Sequence, residues 1–390
     1  MPPLHAMKTP LLLASLAAAL SAVAADPGQP KLRAQDIDTQ VEIGYGLAIA
    51  DVDGDRKPDI ILADKKTIQW YRNPGWEKFV IAENLTAQDN VCVAAADLDG
   101  DGRAEIAVGA GWQPSDTINS GAVFYLIPPA DRTHKWTPVA LHHEPTVHRM
   151  HWIKNPAGKF ELVVKPLHGR GNKNNQGEGG KVLAYSVPPD PKGEWKTAVV
   201  SDFLHASHNF QPINWDQDPE HELIIGGWEG AWWFGRSTGA WKKRQLTDQP
   251  TGEVRDGLLP NGRRFIATIE PMHGTTVCVY TEPHVKGLWT RRILDDTLKD
   301  GHALAIGDLL GTGAPQIIAG WRAMNPKGAP GVKLYVARDK EGKDWRQLPI
   351  SGPEVAVEDL KLADLNGDGK LDLILAGRQT KNLRILWNER

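Results

Sequence analysis

The chain repeats itself, and the repeat constrains every other reading. An alternating apolar segment runs into an Asp-rich turn and leaves it as a second apolar segment: Leu47-Ala48-Ile49-Ala50, then Asp51-Val52-Asp53-Gly54-Asp55, then Asp59-Ile60-Ile61-Leu62. The line returns from Val93 with Asp97, Asp99, Asp101 and Glu105, and near the end from Leu362 with Asp364, Asn366, Asp368 and Asp372. A worn copy runs from Ala303 through Asp308 to Gln316-Ile317-Ile318. A second element, a segment closed by an aromatic residue, occurs seven times: at Tyr71, Tyr125, Tyr185, Trp233, Tyr280, Tyr335 and Trp387. A third, a Trp opening the next segment, occurs six times: at Trp76, Trp136, Trp195, Trp241, Trp289 and Trp345. Segments of period two separated by Gly- and Pro-rich turns are strands, and no stretch keeps a helical period.

A repeat of about fifty residues holding four short strands has the size of a propeller blade. The copy lacking at the C-terminal end has a counterpart at the other terminus, where Leu32 to Ile37 has strand character but no preceding strands of its own. The expectation is therefore an all-β fold, a seven-bladed β-propeller whose N-terminal strand completes the last blade and removes an open edge. A β-sandwich does not require seven registered aromatic-ended strands, and a β-helix would show a shorter period. Residues 25–390 form this domain, and residues 1–24 read as an export signal. Lys8 precedes an apolar run from Leu11 to Leu20, and Ala22-Val23-Ala24 supplies a small-x-small cleavage pattern. The run is too short for a membrane anchor, so a periplasmic or extracellular protein is expected, working as a monomer. Cys92 and Cys278, the two cysteines, fall in different blades and are expected as buried free thiols.

Carboxylates at alternating places on a tight turn offer the hard oxygen ligands that suit Ca²⁺. The expected structural calcium ligands are Asp51, Asp53, Asp55 and Asp59; Asp97, Asp99, Asp101 and Glu105; and Asp364, Asn366, Asp368 and Asp372. The spacing is not that of an EF-hand, since Gly stands at the fourth position and the twelfth is apolar. The loops near Lys154, Asp216, Pro260 and Asp308 look too worn to bind. With strands on both sides, these Asp loops resemble the FG-GAP/VCBS repeats of integrin-type propellers. That resemblance speaks for the fold rather than for an activity.

The Asp loops share one face of the ring, so the loops entering each first strand and those joining second to third strands share the other. Seven of the thirteen His residues fall in or beside that second set. A formal net charge of −3 gives no electrostatic reason to expect nucleic acid as a partner. Imidazoles, cations and tryptophans from distant segments meeting at one mouth suggest a carbohydrate site instead. His208, His273 and His302 are the expected ligands of a divalent transition metal such as Zn²⁺ or Mn²⁺. His148 or His168 would serve as base. Arg149, Lys165, Arg170 and Arg322 would hold a carboxylate or an enolate oxygen, and Glu270 would be an acid or an orienting group. Trp112, Trp228 and Trp321 would be platforms for a sugar ring.

The segments His148-Arg149, His208-Asn209-Phe210, Glu270-Pro271-Met272-His273-Gly274, Gly301-His302-Ala303 and Gly320-Trp321-Arg322 resemble the propeller domain of the aldos-2-ulose dehydratase family. That resemblance implies a carbohydrate lyase or dehydratase acting at a metal site by β-elimination on a keto-sugar or uronate-type substrate. The fungal enzyme's C-terminal cupin domains have no counterpart in this sequence. Two other readings compete. One is a non-catalytic, calcium-stabilised binding or adhesion propeller. The other is glycoside hydrolysis by paired acids, for which Glu270, Asp256 and Asp300 are the candidates. Motifs for a phosphate-binding loop followed by Lys and Ser/Thr, or a His-Glu-x-x-His zinc helix, are absent. The Gly- and Asn-rich stretch from Gly169 to Gly180 reads as a long loop over the mouth or a plain insertion.

Overall fold

The computed structural model describes residues 28–236, 239–322 and 328–390. The export signal read over residues 1–24 lies outside them. The described residues form seven four-stranded antiparallel sheets and no α-helix, so none is a helix long and apolar enough to cross a membrane. Each sheet is one blade. Blade one is Gly46–Ala50, Asp59–Ala63, Thr67–Arg72 and Glu77–Glu83, and the others repeat that order. The first strands contact one another in sequence around the ring, and Gly46–Ala50 also meets Val357–Ala363, which closes it. First strands therefore line the axis.

The closing blade is built from both ends of the chain. Val357–Ala363, Asp372–Gly377 and Asn382–Asn388 are completed by Leu32–Asp38, paired antiparallel to Asn382–Asn388 with Leu32 opposite Asn388 and Asp36 opposite Arg384. The repeated aromatics pack where neighbouring sheets meet. Seven apolar clusters fill the seven interfaces between blades. Tyr71, Tyr185, Tyr280 and Tyr335 are almost wholly buried there. Cys92 and Cys278 are buried free thiols in blades two and five.

The Asp loops turn by hydrogen-bonding to themselves. Asp51 accepts from the N–H groups of Gly54 (2.7 Å) and Arg56 (2.6 Å), and Asp97 accepts in the same way from Gly100 and Gly102. Asp364 does so from Gly367 and Gly369. Gly54 has φ 87°, Gly100 85° and Gly367 75°, a region that favours glycine. The last acid of each loop has a different task from the others. Asp59, Glu105 and Asp372 are buried and accept the N–H seven residues back, from Val52, Leu98 and Leu365. Oxygens expected to face a cation thus also cap the turn. In blade four Asp216, Asp218 and Glu222 bring one oxygen each within 4.8 Å of one another, as do Asp51, Asp53 and Asp59, and Asp97, Asp99 and Asp101. The Asp216 loop is less worn in space than in sequence, because Gln217 takes the left-handed turn (φ 70°) that glycine takes elsewhere.

Candidate metal and sugar site

On the face opposite the Asp loops the axis opens into a pocket of about 200 Å³. All seven blades reach it, with Tyr45, Trp112, His148, His208, His273, Arg322 and Arg378 among the contributions. A larger groove of about 500 Å³ lies on the outer strands of blades two and three, beside Trp195, away from the ring of imidazoles.

Three imidazoles converge in the axial pocket. His208 precedes the first strand of blade four, His302 is the second residue of that strand in blade six, and His273 comes from the turn joining Arg264–Glu270 to Thr276–Thr281. Their ring centroids are 4.8 to 4.9 Å apart, and the Nε2 atoms of His208 and His273 are 3.1 Å apart. Two nitrogens on one Zn²⁺ at about 2.1 Å stand roughly 3.0–3.4 Å apart for angles between square and tetrahedral, so the spacing suits a shared ion. The outer nitrogens are anchored. His208 Nδ1 meets Glu253 Oε1 at 2.8 Å, and His302 Nδ1 meets the carbonyl of Glu358 at 2.6 Å. Acceptors at Nδ1 leave Nε2 as the nitrogen with the lone pair in the neutral ring. Burial, reinforced by Arg149 at His208 and by Arg322 at His302, holds both pKa values well below the ordinary range. Burial, then His208 and Arg322, takes His273 down to about 3. Neutral imidazoles are the form that binds a metal.

The local chain is shaped for this convergence. His273 has φ 54° and Asp300 φ 61°, left-handed conformations that cost energy for residues with a Cβ. Gly274 follows in a turn so tight that a Cβ there would lie 2.1 Å from the Glu270 carbonyl oxygen. Asp300 accepts from Arg322 Nε at 2.9 Å and lies 3.8 Å from His273 Nδ1.

His148, second residue of the first strand of blade three, places its ring 4.6 Å from His208 and 4.9 Å from Trp112. Its Nδ1 meets the His208 carbonyl at 2.7 Å, and burial, with Arg149 adding to it, keeps the ring neutral. Arg322 and Arg378 share Glu358, at 2.5 and 2.8 Å. Arg149 also lines the pocket, and among the described residues the hydrogen bond of its guanidinium goes to the His148 carbonyl at 3.1 Å.

The structure thus brings together His148, Arg149, His208, His273, His302, Arg322 and Trp112. It places the other expected residues elsewhere. Glu270 points into its own blade, where Thr268, Tyr280 and Arg291 donate to it at 2.6 to 3.0 Å. It is a buried structural acid outside the pocket lining. Lys165 is fully buried beside Arg149, its register partner, with Nζ donating to the Pro166 and Ser207 carbonyls, and burial and then Arg149 hold its pKa well below the ordinary lysine range. His168 is tied to the His205 carbonyl, and Arg170 to Ile118 and Glu144. Trp321 spends its N–H on the Ala329 carbonyl, and Trp228 is 51% exposed outside the pocket. Asp256, weighed as a hydrolytic acid, is paired to Arg264 at 2.5 Å. The loop after Gly169 is tied down, with Gly171 N–H on the Thr117 carbonyl and Asn172 buried.

Sequence reasoning missed Glu253, Glu358, Arg378 and Tyr45. Glu253 and Glu358 open the first strands of blades five and seven, much as His302 opens that of blade six. Reading that one repeat position around the ring would have found them.

The comparisons agree with this geometry at the level of fold. A family profile described as FG-GAP-like repeat matches residues 51–108, and one described as FG-GAP repeat matches residues 93–126. The chain is a β-propeller of seven blades with FG-GAP repeats matched over residues 51–126. It is 24% identical over 350 residues to aldos-2-ulose dehydratase of Phanerodontia chrysosporium, an alignment covering 79% of this chain and 37% of that protein. The chain therefore spans well under half of that relative. Among solved structures it is similar to a chain of the mitotic checkpoint complex (13% identity, TM-score 0.57, 97% of this chain and 99% of that one). It is also similar to an Agrocybe aegerita lectin recognising non-reducing terminal N-acetylglucosamine (14% identity, TM-score 0.51, 87% and 84%). At these identities the likeness is one of fold.

Proposed function

We propose that the chain is a metal-dependent carbon–oxygen lyase that removes water from a keto-sugar or uronate-type carbohydrate in the axial pocket. The observation that carries this reading is the convergence of three neutral imidazoles, each from a different blade, beside His148 and Arg322. A divalent ion such as Zn²⁺ or Mn²⁺ held by His208, His273 and His302 would supply Lewis-acid polarisation of a carbonyl oxygen. His148, neutral and with Nδ1 committed to the His208 carbonyl, takes the proton from the carbon next to that carbonyl. The C–H electron pair becomes the new double bond as the hydroxyl on the next carbon leaves, and the proton His148 took up passes to it to complete water and restore the neutral imidazole. Arg322, fixed by Asp300 and Glu358, sets a positive charge against the oxygen that gains negative charge. Trp112 lies against His148 and shields that side from bulk water.

Elimination from a keto-sugar creates an unsaturated carbonyl, which absorbs in the near ultraviolet. Wild-type protein loaded with Zn²⁺ or Mn²⁺ is expected to generate that absorbance from 2-keto-hexoses or hexuronates. His148→Ala should lose about 10²- to 10⁴-fold in kcat. Absence of the product across both substrate classes defeats the proposal.

A second reading, a non-catalytic binding propeller, is favoured by one observation: Trp228, 51% exposed, is a ready platform for a sugar ring. Under it, Trp228→Ala abolishes sugar binding while His273→Ala leaves binding intact.

The same proposal includes Ca²⁺ on the Asp loops and export of the chain, the latter checked by a mature N-terminus near Ala25. Burial pushes Asp59 up to about 7, with Asp53 and Asp51 adding to it. Between the unfolded value near 4 and 7 the folded calcium-free loop binds the extra proton, so its stability falls as pH rises through that window. A bound cation removes that penalty. Added Ca²⁺ is therefore expected to raise the melting temperature more at pH 8 than at pH 5, and a chelator to reverse the gain. Equal melting curves with and without Ca²⁺ at pH 8 would count against calcium in these loops.

A further inference from the structure

The cations around the axial pocket are not equally satisfied. Arg322 has Asp300 at 2.9 Å and Glu358 at 2.5 Å, and Arg378 has Glu358 at 2.8 Å. Arg149 is 9% exposed, yet its hydrogen bond goes to a backbone carbonyl, and among the described residues no carboxylate lies within ion-pair distance. Its cross-strand partner Lys165 is fully buried, and burial and then Arg149 hold its pKa well below the ordinary lysine range, so it sheds its charge while Arg149 keeps its own. A buried guanidinium without a counter-ion at contact distance is costly. Such an arrangement persists when a ligand completes it. Below the pocket, a cavity of about 30 Å³ that Arg149 also lines has Arg255 and Lys361 on its wall, both already facing acids, Glu253 and Asp359. Against its burial, Lys361 and then Arg149 hold the Asp359 carboxyl below its ordinary range, but among the described residues Arg149, the guanidinium shared with the imidazole pocket, has no carboxylate at ion-pair distance.

We infer that Arg149 is the receptor for a carboxylate on the ligand, so that the pocket takes a sugar acid in preference to a neutral keto-sugar. This rests on the proposed function for the site's location and narrows its substrate class. A planar guanidinium takes a carboxylate through two parallel hydrogen bonds, which an ester or a hydroxymethyl group cannot replace. The carboxylate fixes one end of the ring against blade three, across the axis from Arg322 in blade six. The pocket's volume of about 200 Å³ fits one sugar acid rather than a chain.

The test is calorimetric binding of D-galacturonate and D-glucuronate, their methyl esters, and the neutral hexoses to the metal-loaded protein. The free acids should bind at least about tenfold tighter than the esters, and Arg149→Gln should erase that difference. Arg149→Lys, which keeps the charge but not the fork, should recover part of it and covers the case in which the glutamine variant fails to fold. Equal binding of acid and ester, or an acid preference that survives in Arg149→Gln, overturns the inference. Acid binding without turnover keeps Arg149's role and removes the lyase. Turnover of a neutral keto-sugar without acid binding keeps the lyase and removes this role.

Discussion

Replacing His273 with alanine is expected to lower transition-metal affinity by more than about a hundredfold and to abolish dehydration, while the propeller stays folded. The magnitude follows from comparison with outer partners. Removing a group that merely orients a metal-binding histidine costs about 10- to 100-fold in affinity or activity, and deleting a ligand removes the donor itself. Glu253 is such an outer partner. It is 1% exposed and accepts from His208 Nδ1 and Asn209 Nδ2, both at 2.8 Å. Glu253→Gln should therefore fall between wild type and His273→Ala in metal affinity. His273 is 37% exposed at its side chain, so truncating it leaves little of the core disturbed. Elemental analysis of dialysed protein, calorimetric Zn²⁺ titration and circular dichroism separate the outcomes. Wild type should hold one equivalent and His273→Ala close to none, with superimposable spectra. One equivalent retained in the alanine variant, with turnover unchanged, would end the metal proposal.

The ring was legible in the chain because a period survives wear. Aromatic positions such as Tyr185, Tyr280 and Tyr335 recur even in blades whose Asp loops have decayed. The imidazoles were legible as a set because antiparallel strands must send their loops alternately to the two faces. Direction within a strand was harder to read. Glu270 stands three residues from His273, yet it ends a strand on the same face as Thr268, two residues back, and accepts from it. The turn that follows sends His273 to the axis instead. Trp112, Trp228 and Trp321 share a position after glycine, yet Trp112 alone lines the pocket. Trp321 is diverted by a hydrogen bond to the Ala329 carbonyl, eight residues on. Glu253 and Glu358 look like ordinary strand charges because their partners are chosen by the ring: His208 is 45 residues from Glu253, and Arg322 is 36 from Glu358.

Deleting residues 28–38 should be the most damaging change outside the pocket. It leaves Asn382–Asn388 as an open edge and removes the strand that, among the described residues, joins the N-terminal and C-terminal strands within one sheet. The lost strand does more than pair. Asp36 accepts from Arg384 Nε at 2.8 Å and Nη2 at 2.6 Å, and Gln35 accepts from Trp387 Nε1 at 2.8 Å. Asp38 accepts from Tyr71 and Lys78, so the strand also clasps blade one. Leu32 packs against the core between blades six and seven, and Ile37 against that between seven and one. Without these contacts the hold of blade seven on both neighbours weakens, and an unpaired edge invites association with other chains. The melting temperature is expected to fall by about 10 °C or more, with soluble aggregates on size exclusion. A peptide of residues 28–40 supplied in trans should restore part of the loss by adding a strand to that edge. Ile37→Asp in the intact chain should destabilise to a lesser degree, because pairing survives while one apolar contact is lost. An unchanged melting curve after the deletion would mean that the ring holds without its clasp, and that the contacts between first strands around the axis suffice to keep it closed.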